Sequence, residues 1–144
     1  MWAHVALAFA AGATLPLQAA INARLARSVG SSIWAAMISG AVLTVALVVV
    51  AYAVLREGPR TGELGSTPWW AWTGGFCGAV ILSATTAVAP RLGTAGMVAL
   101  VMAGQVLCSF LLDHFGLLGL PVQPVSVKRL AAAALLLAGA ALIR

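Results

Sequence analysis

Residues 32–55 read SIWAAMISGAVLTVALVVVAYAVL, a run without one acidic, basic or histidine side chain. A helix needs ~20 apolar residues to cross the hydrocarbon core of a bilayer, and this run supplies them. Polar segments close it on both sides. Arg24 and Arg27 lie upstream, and REGPRTGELGST, residues 56–67, follows. The stretch is a transmembrane helix, and the remainder of the chain is built to the same pattern.

The whole sequence is 62% hydrophobic and only 8% charged, with mean hydropathy +1.06. Soluble domains are roughly a quarter charged, so so few charges cannot make a water-facing shell. Between the charges lie five apolar segments, at 2–23, 32–55, 68–89, 94–118 and 130–143. The reading is an all-α membrane protein, one transmembrane domain over 1–144, crossing the bilayer five times. The fifth segment is short and spans only with snorkelling ends or a thinned bilayer. Alternation with period two is absent, which argues against a membrane β-barrel. The first segment lacks the basic start of a cleaved signal peptide and is read as retained, although LQA and INA resemble small-residue cleavage sites.

Several function classes drop out. No phosphate-cradling glycine loop, zinc motif or pair of catalytic carboxylates occurs, so neither an enzyme nor a cofactor or metal site is expected. The pI near 10.7 comes from basic residues scattered singly at helix ends, a pattern of membrane anchoring and not of nucleic-acid binding. Cys77 and Cys108 sit mid-segment without ligand spacing and read as small hydrophobes. Trp2, Trp69, Trp70 and Trp72 form an aromatic belt, with His4 at the interface, and Gly74 with Gly78 makes a small-residue packing motif.

Orientation is undecided by charge. Arg56, Arg60, Lys128 and Arg129 fall on one side, and Arg24, Arg27, Arg91 and Arg144 on the other. A balance of four against four has no positive-inside bias. An odd number of spans without bias suggests two copies in opposite orientation, the inverted-repeat plan of many secondary transporters, with solute bound near the midplane.

Polar residues inside the spans point to where that solute would sit. Pro16 frees the carbonyl of Gly12, making these two a hinge candidate. Thr14, Gln18 and Asn22 are four apart and share a face. Gln105, Ser109 and Asp113 form a similar stripe in the fourth segment. Either the stripes glue helices together, or they line a cavity. Asp113 is an ionisable group within a span and a coupling candidate by default; an ion pair with Lys128, Arg129, His4 or the terminal amine is the structural alternative. His114, next to it, is the second coupling candidate. Ser39, Gly40, Ser83, Thr85 and Thr86 either add polar lining or bond their own helices.

The stretches GATLPLQAAINARL (12–25), SG (39–40), PRLG (90–93) and AGQVLCSFLLDHFGLLG (103–119) together resemble the YdcZ-like family of small bacterial membrane proteins, within the drug/metabolite transporter superfamily. The resemblance covers nearly the whole chain. It implies a five-helix half of an inverted-repeat transporter in the bacterial inner membrane, found singly, as paired chains or as fused duplicates. Pro16, Gln18, Asn22, Gln105, Ser109, Asp113, His114 and Gly116 are the family-like positions. Small multidrug-resistance transporters of similar size carry a glutamate in the first span, and this first span has no acid, which weakens any parallel with cationic drugs. The expected function is therefore export of a small metabolite or amphiphile by an antiparallel homodimer, or by a pair with a paralogous chain. A partner subunit or membrane scaffold that does not transport, and a small dual-topology ion channel, are the alternatives.

Overall fold

The computed structural model describes residues 2–59, 62 and 64–143; Arg60 and Arg144 of the charge count lie outside the described residues. The described residues are 87% helix and contain no strand. Four helices follow in order: α1, Trp2–Val29; α2, Ser32–Leu55; α3, Gly74–Phe115; and α4, Val127–Leu142. Short 3-10 turns at Leu64–Ser66, Trp69–Thr73 and Leu117–Gly119 lie in the connections.

Local chemistry sets each boundary. α1 runs past the expected Ala23 to carry Arg27 in its last turn, where the helix dipole favours a cation. Gly30, at φ 77°, then reverses the chain, and Ser31 caps α2 by accepting the Trp34 N–H at 3.4 Å. α2 occupies the residues its apolar run predicts and ends where Arg56 turns left-handed, its N–H reaching the Tyr52 carbonyl at 3.2 Å. α4 begins at Val127 and not Leu130 because Ser126 accepts the Arg129 N–H at 3.3 Å.

The third and fourth predicted segments join more closely than their sequence suggests. Helical structure continues through Pro90, Arg91 and Leu92, and the break concentrates at Gly93, with φ 73° and ψ 159°. Only glycine adopts that combination readily. The helix stops at Phe115, three residues before the expected Leu118, because Gly116 takes a left-handed conformation and a 3-10 turn follows. Three stretches are long and apolar enough to cross a membrane among the described residues: Trp2–Val29, Ser32–Leu55 and Trp69–Phe115.

Contacts divide the chain into two compact units, Gln18–Ala87 and Met1–Leu17 with Val88–Arg144. In the first, the buried residues are Ala19, Asn22, Ala23, Ala35, Ala36, Thr85 and Thr86. In the second they are Ala89, Met97, Ala103, Ala133 and Ala140, with Gly96. Both cores are thus made almost wholly of small side chains, which let helix backbones approach closely. The large apolar side chains, Phe9, Val42, Leu47, Phe76 and Leu135 among them, point outward. That inversion of the soluble pattern suits a helix bundle whose surroundings are lipid or another chain.

Candidate functional site

In the unit Gln18–Ala87, the half-buried Gln18 opens onto a groove of about 640 Å³. α2 supplies one wall with Ile33, Met37, Gly40 and Thr44; the first part of α3 supplies another with Gly75, Gly78 and Ser83. A Cβ at Gly40, Gly75 or Gly78 meets nothing within 4 Å. The absent side chains are what leave room here. The Thr44 hydroxyl donates to the Gly40 carbonyl at 2.9 Å, so its proton is already satisfied by its own helix.

One helical turn after Gln18 sits Asn22, 3% exposed, whose Nδ2 is buried without a hydrogen-bond partner. Thr85 and Thr86, buried in the same unit, donate to the Ile81 carbonyl at 2.8 Å and the Leu82 carbonyl at 2.7 Å, and neither bonds the amide. A buried donor left unmet costs about 1–3 kcal/mol. Side chains on a helix lean toward its N-terminus, so the Asn22 amide leans toward the turn of Gln18, although Asn22 itself does not line the groove.

The other expected cavity residues lie elsewhere. Thr14, Gln105 and Ser109 belong to the second unit. The hydroxyl of Thr14 donates to the Ala11 carbonyl at 2.7 Å and that of Ser109 to the Val106 carbonyl at 2.8 Å. Gln105 is exposed and lines neither this groove nor the one at Pro16. The two polar stripes therefore do not form one site within a single described unit. Pro16 lies in an otherwise unbroken α1 and borders a mainly apolar groove of about 510 Å³ with Thr94, Val98, Met102, Leu135 and Gly139. A Cβ at Gly12 meets nothing within 4 Å.

Asp113 is held in a clasp. Its Oδ2 accepts from Arg129 Nη1 at 3.1 Å, the other guanidinium nitrogen donates to Gln123 Oε1, and the Gln123 N–H donates to the Asp113 carbonyl at 2.8 Å. Of the partners the sequence left open, Arg129 is the one engaged. Residues 116–126 thus fold back on the end of α3. Gly116 permits this fold, since a Cβ there falls 2.6 Å from Val122 Cγ2. The neighbouring His114 is exposed and meets Phe115 edge-on, with ring centroids 4.9 Å apart.

One packing expectation is corrected. The glycines of the GxxxG motif approach no neighbouring side chain in this chain, because a Cβ at Gly74 or Gly78 would enter open space. Cys77 and Cys108 are exposed free thiols. No group of three His, Cys, Asp or Glu side chains that could hold a metal ion occurs among the described residues.

Sequence reasoning named Ser39–Gly40 and Ser83 only as optional lining, whereas Gly40 and Ser83 do line the groove. It did not name Gly75 or Gln123. A glycine beside a motif glycine was the signal available for Gly75; for Gln123, in a loop, there was none.

A family model described as "Putative inner membrane exporter, YdcZ" matches residues 3–142. No curated protein and no solved structure matches the chain.

Proposed function

The chain belongs to the YdcZ family, and from that membership we propose that it is one half of a secondary exporter that works as an antiparallel dimer in the inner membrane. The observation that carries the reading is the half-buried amide of Gln18 on the wall of a roomy, mainly apolar groove, with the orphan amide of Asn22 one turn further along the same helix. A transporter offers such groups to a passing solute and leaves them unmet between cycles.

Five crossings make the chain an odd-numbered half. The 47 residues of Trp69–Phe115 are too long for one passage, since at 1.5 Å per residue they extend about 70 Å against a hydrocarbon core of about 30 Å. Gly93 is the position where this stretch folds into two passages. α4, with 16 residues, is the fifth and shortest. A second copy in the opposite orientation supplies the inverted half, in keeping with the balanced charge count. The chain then acts as a carrier and not as an enzyme, with Gln105 and Ser109 facing the partner copy. Asp113 is the coupling group: loss of its charge removes the ion pair with Arg129 and loosens the clasp, with His114 beside it.

The test is efflux from vesicles loaded with candidate solutes. Asn22→Ala is expected to abolish it, Gln105→Leu to weaken it, and both proteins to remain dimeric. Undiminished efflux in both variants would remove these residues from the path. A chain that never dimerises when purified alone would instead be one subunit of a mixed pair.

A further inference from the structure

We propose that Gln123 is a positioning residue of the clasp: it seats the Arg129 guanidinium independently of the charge on Asp113, so that the coupling pair can open and re-form on a fixed frame. This rests on the exporter reading above, in which Asp113 is the coupling group, and names the residue that regulates it.

A carboxylate that loses and regains its partner needs the cation held nearby while the bond is open. The ion pair does not do this by itself. Its side chains are 35% and 32% exposed, so the attraction is screened, and it must also restrain a long arginine side chain. The geometry supplies a second hold. Arg129 presents two nitrogens of one planar group, Nη1 to Asp113 Oδ2 and Nη2 to the Gln123 amide oxygen. That oxygen has no charge to lose, and a bond to it from a charged donor is stronger than one between neutral groups. His114 on α3 and Lys128 on α4 are the ionisable neighbours; both are exposed and neither enters these bonds.

The rest of the frame is uncharged as well. The Gln123 N–H donates to the Asp113 carbonyl at 2.8 Å, a backbone bond in which the carboxylate has no part. Ser126 accepts the Arg129 N–H at 3.3 Å and so fixes the start of α4. The loop between is stiff by sequence, since Pro121 and Pro124 bracket Val122 and Gln123. Proline fixes its own φ and confines the residue before it to extended backbone, as Leu120 shows at φ −75° and ψ 149°. Holding the Gln123 amide in place therefore costs less chain entropy.

The test is rotation of the Arg129 guanidinium about its Cζ–Nε bond, read by nitrogen NMR on the full-length chain in lipid nanodiscs, with Arg129→Lys to assign the signal. Gln123→Leu, at an exposed loop position, is expected to speed rotation at least about tenfold, the worth of one hydrogen bond. Asp113→Ala keeps the carbonyl that Gln123 bonds and should speed it by less than about fivefold, as for a screened pair. Gln123→Glu retains an acceptor at the same reach and should keep rotation slow. An effect of Asp113→Ala equal to or larger than that of Gln123→Leu overturns the proposal, because the carboxylate then seats the guanidinium. Fast rotation in Gln123→Glu, or unchanged rotation in Gln123→Leu, overturns it too. So does fast hydrogen exchange at the Gln123 amide in Asp113→Ala, since the frame would then depend on the charge. Transport is judged separately: gradient-driven efflux retained in Asp113→Asn would remove the coupling role and leave the seating of Arg129 intact.

Discussion

Asn22 shares the functional argument with Gln18, and it does so by being badly satisfied. Its buried Nδ2 has no hydrogen-bond partner, whereas the hydroxyls of Thr85 and Thr86, buried in the same unit, donate to carbonyls of their own helix. Asn22→Ala is therefore expected to leave the melting temperature unchanged or raise it, since removing the orphan offsets the lost packing, a balance of about 1–3 kcal/mol on each side. A melt in detergent beside an efflux assay reads both halves of this expectation, and a large loss of stability would instead make the amide structural. Asp113 is the opposite case. Its pair with Arg129 has both side chains about one-third exposed. Breaking such a pair costs at most about 1 kcal/mol. Asp113→Asn should thus stay folded and bind solute while losing efflux driven by a proton gradient; retained gradient-driven efflux would reduce the clasp to a structural tie.

At the scale of elements, two glycines decide how apolar runs become helices. Gly93 holds α3 at a backbone conformation closed to other residues, and a Cβ there meets nothing. Strain alone then sets the cost of Gly93→Ala, about 1–3 kcal/mol, measurable as a lowered unfolding midpoint. Gly116 adds a steric term, because its Cβ would collide with Val122. Gly116→Ala is expected to destabilise the clasp more than φ alone predicts, and Val122→Ala in the same chain to restore part of the loss. Purely additive effects of the two substitutions would show that the contact is not what matters. Boundaries were legible wherever capping chemistry met a charge, as at Ser31 and Arg56 around α2. They were misread between the third and fourth segments, since the helix passes Pro90 and breaks three residues later, at Gly93.

For the molecule as a whole, the outward large side chains and the thin alanine cores mean that stability depends on what surrounds the helices. Reporters fused after Arg144, one active on each side of the membrane, should both signal from a single cell population if the four-against-four balance of charges governs insertion. Adding one lysine to the Arg56–Thr67 loop should silence one of the two. A single active reporter in the unmodified chain would require the inverted half to be a different protein.

Composition alone determined that this is a helical membrane protein, because apolar runs of spanning length and so few charges have no other stable disposition in water or lipid. The spacing of Thr14, Gln18 and Asn22 placed a polar face on the first helix, and the combined motifs identified the family. Only the tertiary structure decided which polar groups stay unmet. Thr14 and Ser109 look like Gln18 in a spacing pattern, but a hydroxyl can return its proton to a carbonyl three residues back, whereas the buried amide of Asn22 makes no such bond. The partner of Asp113 was likewise beyond reach of pattern. Sixteen residues separate it from Arg129, and the turn that brings them together depends on a left-handed glycine and on the path of a loop that no periodicity encodes.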